Sequence, residues 1–414
     1  MIPVNYNSLS SSTNHLKTIA SLLILFLLVS PFADFVTVFS RHHEIAMGSR
    51  FSLLFRLFIL AALVVLCVID DTRDRKLLWM VFGGGVLVHL LFMIANTDEN
   101  LSLYLEGVLT LVKFHLFFLY LAAIKITMNL GMSYEKILKT FYVMIAFYAV
   151  TIIAGAIFNI EMFHYYSTER WGVKGVIIAG NEVSGLLVAA LGILLINDRT
   201  RSNILLIILV ALAMVLCGTK AALLGLVMIM TAHYLSSGGL ASVAKLAVVF
   251  LTVLVICGMI YSNNLAVQEA ILNSVAYFEY QFDNYANGSV FTLLLSGRDL
   301  KLDVVVNDII NTNIIHFFVG GYPISGYMIE MDLFDYIALS GVIGAAVYFY
   351  FWIAEWKGMQ GGYKKRFTYS FLLTFIALGF MGGHMFYSAV AAPFLAFMVL
   401  SLKEDSKSKC RNIS

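Results

Sequence analysis

Charge is scarce in this sequence: Asp, Glu, Lys and Arg make up 13% of its 414 residues, and hydrophobic types make up 60%. A soluble domain carries about 25% charge and about 45–50% apolar residues. Too few polar groups are present to cover the apolar ones, so lipid must be the solvent. Proline is also rare, at four residues. Cys67, Cys217, Cys257 and Cys410 stand far apart, with neither pairing nor ligand spacing, which excludes a disulfide scaffold and a zinc site. The net charge of +2 carries no nucleic-acid signature. Solenoid repeats, heptads, low-complexity tracts and Gly-rich nucleotide loops are missing as well.

What fills the chain is a series of apolar runs. A bilayer core takes about 20 apolar residues per helix, and about twelve segments qualify, near 19–39, 51–69, 77–95, 107–126, 140–160, 175–196, 203–217, 220–235, 246–261, 332–354, 368–383 and 387–402. The expectation is an all-α integral membrane protein, a single polytopic domain over 1–414. The first run is about twenty residues long with no small-residue cleavage site behind it, so it is expected to be a retained helix and not a signal peptide. With both termini inside, inner connections hold 18 of the 27 Lys and Arg and outer ones 7, the bias that cytoplasmic loops show. One outer connection, 262–331, is far longer than the rest. It contains an amphipathic run, LAVQEAILNSVAYFEYQF, a second helical pattern, DLKLDVVVNDII, and a Gly-rich stretch, FFVGGYPISGY. A loop of this length with its own periodicity is usually functional.

Ionisable residues inside membrane helices cost about 2.5–3.5 kcal/mol on insertion scales, so each asks for a reason. Arg56 and Lys113 fall at similar depth below the outer ends of the second and fourth segments. Asn181 and Glu182 are expected a turn and a half to two turns below the same surface, with Lys220 at the outer mouth of the eighth segment. Snorkelling to the interface would account for either intrahelical cation alone. Several cations at one level instead suit a positively lined cavity in the outer leaflet, and a lipid-linked phosphate or pyrophosphate is the natural ligand there.

Several strings resemble bacterial O-antigen polymerases and O-antigen ligases. GTKAALLGLVMIM is similar to the basic-then-apolar motif that opens a late helix, and LSGRDLKL to an SGR element of the large outer loop. GGYPISGYMIEMDLFDYIALSGVIGAAVYFYF resembles that loop's exit, where an acidic cluster precedes a helix beginning with Gly-xx-Gly; GGHMFYSAVAAPFLAF is similar to the last two helices. The resemblance covers mainly 170–400. It implies a GT-C-like glycosyltransferase of about twelve helices in a bacterial cytoplasmic (inner) membrane, with a large extracytoplasmic loop between the ninth and tenth and the active site on the outer face. It further implies an undecaprenyl-pyrophosphate-linked oligosaccharide and membrane lipid as partners, a chain-length regulator protein as another candidate partner, and no nucleic acid. Ligases usually carry His where this chain has Glu330 and Asp332, which favours polymerase. Lys220 replaces an Arg of many relatives, which weakens bidentate oxyanion binding at that position.

Glycan transfer from a polyprenyl pyrophosphate needs cations for the leaving group and a base for the acceptor hydroxyl. It needs neither metal nor cofactor. Arg298 is the first candidate cation, since a guanidinium forks onto phosphate oxygens, followed by Lys220, Arg170, Arg56 and Lys113; the alternative for Arg170 and Arg298 is a solvated or salt-bridged loop arginine. Glu330 is the candidate base, with Asp332 and Asp335 as rivals. The latter two share a helix face at i, i+3. Asp332 in particular is open to reading as a helix N-terminal cap. His384 is either a partner of acceptor or phosphate, or a structural turn residue. The aromatics Tyr277, Phe278, Tyr280, Tyr322 and Tyr327 can stack on sugars or simply belong to an interface belt. An O-antigen ligase is the rival within the same chemistry. A flippase or secondary transporter is the rival of another class; it would place charges near the midplane and relate two halves by a repeat.

Overall fold

The structure, a computed structural model, describes residues 9–69, 76–95, 101–165, 172–197, 201–237, 240–265, 267–269, 271–273, 275–276, 279, 292, 295–324, 328–357 and 362–411. Among these it is helical apart from turns, loops and one isolated bridge between His164 and Val173. Helices occur in every one of the apolar segments: α1 (Leu9–His42), α2 (Phe51–Ile69), α3 (Lys76–Ala95), α4 (Leu101–Asn129), α5 (Tyr134–Ile157), α6 (Gly180–Ile196), α7 (Arg201–Leu216), α8 (Lys220–Ser237) and α9 (Leu240–Asn263). In the long loop lie α10 (Arg298–Thr312), the expected DLKLDVVVNDII helix, and the short α11 (Ile315–Val319). Then come α12 (Asp332–Glu355), α13 (Gly362–Gly382) and α14 (Ala392–Arg411). By length and composition alone, five of these, α1, α3, α4, α5 and α12, contain helices long and apolar enough to cross a membrane, although α12 is broken at Gly341; α2, α6, α7, α8 and α14 contain shorter apolar helices. Tyr277, Phe278, Tyr280 and Tyr327, with most of the LAVQEAILNSVAYFEYQF run, lie outside the described residues.

Burial follows lipid logic. Every residue of α6 from Val183 to Leu195 is buried, as is α14 from Ala392 to Leu402, so these two form the axis of the bundle. Peripheral helices point large apolar side chains outward, with Phe58 and Leu251 each 66% exposed. Such surface is costly in water and suited to acyl chains. Because lipid cannot hydrate a free backbone group, a proline inside a span requires local compensation. Pro31 in α1 removes a donor to Leu27, and the Ser30 hydroxyl donates to that carbonyl instead, at 2.8 Å.

Two boundaries differ from those expected. The sixth helix begins at Gly180, not 175. Residues 172–179 turn first, with Gly175 in a left-handed conformation at φ +60°, so Asn181 and Glu182 lie in the first turn. The last helix begins at Ala392, not 387, leaving 383–391 as a folded connection.

The tenth segment, expected as one continuous helix over 332–354, folds back on itself. The rings of Tyr336 and Tyr348 lie 4.3 Å apart, although twelve residues of straight helix span about 18 Å. The reversal is at Gly341, with φ 70° and ψ 171°. Two carbonyls near the break accept from the loop instead, Leu339 from the Gly321 amide at 3.0 Å and Ala338 from Tyr322 at 3.2 Å. The first half of α12 therefore starts inside the bundle. Asp332 is wholly buried beside Gly379 of α13. Gly341 is required twice over, by its positive φ and by contact: a Cβ there would sit 2.0 Å from the Phe318 carbonyl oxygen.

Replacing Gly341 with Val should lower the thermal midpoint of the detergent-purified protein, the backbone strain alone costing about 1–3 kcal/mol. Gly84→Ala, where nothing lies within 4 Å of the added carbon, should leave the midpoint unchanged. Equal midpoints for the two variants would contradict the fold-back.

Candidate functional site

Two left-handed residues, Ser296 (φ 55°) and Gly297 (φ 76°), turn the chain into α10, so that Arg298 is the first helical residue. Its guanidinium donates to the main-chain oxygens of Met381 and Gly382 and, at 3.2 Å, to Glu330 Oε2. The carbonyls are the open C-terminal end of α13, where a cation also meets the negative end of the helix dipole. One turn along α10, Lys301 Nζ donates to Glu330 Oε1 at 2.8 Å. Glu330 thus bridges two cations, one oxygen to each.

The backbone beneath is tightly fixed. Glu330, Gly383 and His384 all have φ near +60°, and a Cβ on Gly383 would lie 2.2 Å from the Glu330 carbonyl oxygen. The loop before α12 and the connection after α13 therefore meet main chain to main chain. Asp332 Oδ2 accepts the amides of Met385 and Phe386 at 2.8 and 3.0 Å. It anchors the neighbouring connection and does not cap its own helix. Asp335 Oδ1 accepts the Ile329 amide at 3.0 Å. Among the described residues, Arg298 Nε, Asp332 Oδ1 and Asp335 Oδ2 are buried without a hydrogen-bond partner. His384 Nε2 meets the Tyr387 hydroxyl at 3.3 Å.

Electrostatics separate the two titrating groups of this loop pair. Burial alone would raise the Glu330 carboxyl, but the Lys301 hydrogen bond and the charges of Lys301 and Arg298 outweigh it and hold the group below the ordinary carboxylate range. His384 is pushed down to about 4, mainly by burial, with Lys113, Arg298 and Lys301 adding to the effect and Glu330 opposing it. A carboxylate and a neutral imidazole coexist there at neutral pH.

The remaining candidates are distributed unevenly. Lys220, at the start of α8, donates to Ser296 Oγ at 3.1 Å, two residues from Arg298. Lys113 in α4 is close enough to act on both His384 and Glu182. Glu182 also feels Arg56, while Arg56 itself is held elsewhere: its guanidinium donates to Asp34 Oδ1 at 2.6 Å. Ser52 donates to the same carboxylate and Tyr148 to its other oxygen, at 2.8 Å. Arg170 lies outside the described residues. Asn181 stands beside Glu182 in the first turn of α6. Asp34, Lys301 and Tyr387 were not singled out from sequence. Asp34 is a lone acid within an apolar run, the same signal that drew attention to Arg56; Lys301 follows Arg298 at i+3.

A comparison with protein families matches residues 17–237 to the O-antigen ligase like membrane proteins, just over half of the chain. The chain belongs to the O-antigen ligase-like membrane protein family. It is a multi-pass membrane protein of that family. No curated protein matches it. The family match contains Asp34, Arg56, Lys113, Glu182 and Lys220, whereas Arg298, Lys301, Glu330, Asp332 and His384 lie after its end.

The contributions of His384 and Glu330 to stability should be lost in two stages on acidification. The folded state resists protonating His384, so the unfolded chain takes up that proton first, and stability falls between about 6.5 and 4. Glu330 contributes above its ordinary value of 4.5, and that contribution is lost as pH falls through its lower folded value. Thermal midpoints of His384→Gln measured across pH 7 to 4 should fall less steeply than those of the parent protein over the first interval.

Proposed function

We propose that the protein is a membrane-embedded surface-polysaccharide polymerase, acting on O-antigen or a related glycan. In this reading about twelve apolar segments lie in a bacterial inner membrane, the tenth of them folded back at Gly341, with both termini inside, and the loop 262–331 lies on the outer face as part of a single polytopic domain. The donor is a growing chain on undecaprenyl pyrophosphate. The acceptor is the non-reducing end of another lipid-linked repeat unit.

The observation that carries this reading is the gathering of Arg298, Lys301, Glu330 and Lys220 where α10, α8 and the end of α13 meet, with His384 alongside. The family match supports processing of a lipid-linked glycan. In the reaction an acceptor hydroxyl oxygen attacks the anomeric carbon of the donor sugar, and the bond from that carbon to the diphosphate oxygen breaks. The hydroxyl proton passes to a carboxylate. Negative charge grows on the diphosphate as it leaves, so cations fixed beforehand in a site of low dielectric stabilise the transition state more than the ground state. Glu330 is the assigned base. Arg298 and Lys220 hold the phosphates, and Arg170 and Lys113 add to the positive potential, while the charge of Arg56 is offset by Asp34. Asn181, Glu182 and Asp335 are assigned to the substrate-facing wall, Asp332 to the connection that carries His384. Ligation of a finished glycan to a lipid A core would use the same groups. Acceptor dependence separates the two.

Purified protein supplied with lipid-linked repeat units should produce a ladder of lengths without ATP or added metal. Arg298→Ala and Glu330→Ala should each reduce extension by about 10² or more, the scale of losing a transition-state electrostatic contact or a general base, while membrane insertion persists. Unaltered repeat units from a preparation that binds donor would overturn the polymerase assignment, and transfer only to a lipid A core acceptor would replace it with ligase.

A further inference from the structure

Arg298 and Lys301 hold the same carboxylate but differ in how firmly they are placed. Arg298 has a side chain only 13% exposed and spends donors on two main-chain oxygens of α13. It is a brace between the loop and the helix end. Lys301 has a side chain 43% exposed, and Glu330 is its hydrogen-bond partner among the described residues. An exposed ion pair of this type is weak and easily exchanged. Glu330 cannot follow by moving its backbone, which is left-handed and pressed against Gly383. Only its side chain can turn. In the present arrangement its two oxygens meet two cations, as two oxygens of a phosphate group would.

We propose that Lys301 is the mobile arm of an anion-binding pair with Arg298, and that Glu330 occupies the anion's place until a diphosphate ester displaces it. The proposal rests on the polymerase reading and deepens it by giving donor binding a second consequence. An entering diphosphate takes Lys301 Nζ and the unpartnered Nε edge of Arg298. Its higher charge favours the exchange over a single carboxylate. The freed carboxylate swings away on a fixed main chain. Without the two cations that held it acidic, it recovers the basicity needed to take an acceptor proton. Base and binding site are thereby coupled: the base becomes competent only when the donor head is in place.

The test uses the full chain in phosphatidylcholine nanodiscs, with inorganic pyrophosphate as the probe and its affinity measured by calorimetry at fixed ionic strength. Glu330→Gln, which keeps the shape and removes the resident charge, should bind about tenfold more tightly, and Lys301→Met about tenfold more weakly. Equal or weaker binding by Glu330→Gln, or a Lys301→Met affinity equal to that of the parent, would overturn the proposal. Nanodiscs with added phosphatidylglycerol separate a diphosphate from bulk phospholipid headgroups. Undiminished pyrophosphate binding supports the pair as a diphosphate site, and its abolition overturns it. Binding needs no acceptor, so these affinities are read independently of whether a ladder forms.

Discussion

Hydrocarbon cannot solvate charge, and the arrangement of this protein follows from that restriction. Among the described residues, several of the charges that the helices carry inward are met by an opposite one or by backbone dipoles. Asp34 is met by Arg56, Ser52 and Tyr148; Glu330 is met by Arg298 and Lys301. Asp332 receives two amides. Breaking a buried ion pair by deleting one partner costs about 3–5 kcal/mol, so these groups are fixed in sets. The sets also mark where the bundle departs from simple parallel packing. One joins α1, α2 and α5, and the other joins the start of α10 to the end of α13.

The second set depends on irregular backbone that only the surrounding protein can satisfy. Non-helical chain at membrane depth is tolerated where it is covered. Here the loop exit pairs with the carbonyls of Ala338 and Leu339, and the 383–391 connection packs Phe386 against Trp352 and Phe375. Both segments bring main chain into the interior and leave side chains such as Glu330 and His384 at its margin. Catalytic sites are commonly built from loops on a rigid frame, and α6 with α14 supplies that frame.

Much of this was legible in the residues. Apolar runs of bilayer length located the helices, since helix formation in lipid follows directly from hydrophobic length. The SGR string and the acidic cluster pointed to Arg298 and Glu330 as candidates, though their contact across 32 positions has no local signal. The reversal at Gly341 was hidden because periodicity is the same on both sides of it, and only the Gly-xx-Gly spacing marks the break. Arg56 looked like a free cation because its partner, Asp34, sits 22 residues earlier in a run dominated by apolar side chains. Hydropathy averages such a residue away.

The brace between Arg298 and the carbonyls of Met381 and Gly382 has a bearing on biogenesis. The arginine leaves the ribosome more than eighty positions before the helix end it secures. During that interval the nascent loop holds a guanidinium without its acceptors. Assembly of this region therefore waits until the end of α13 has been made, so the loop closes only after both partners of the brace are present.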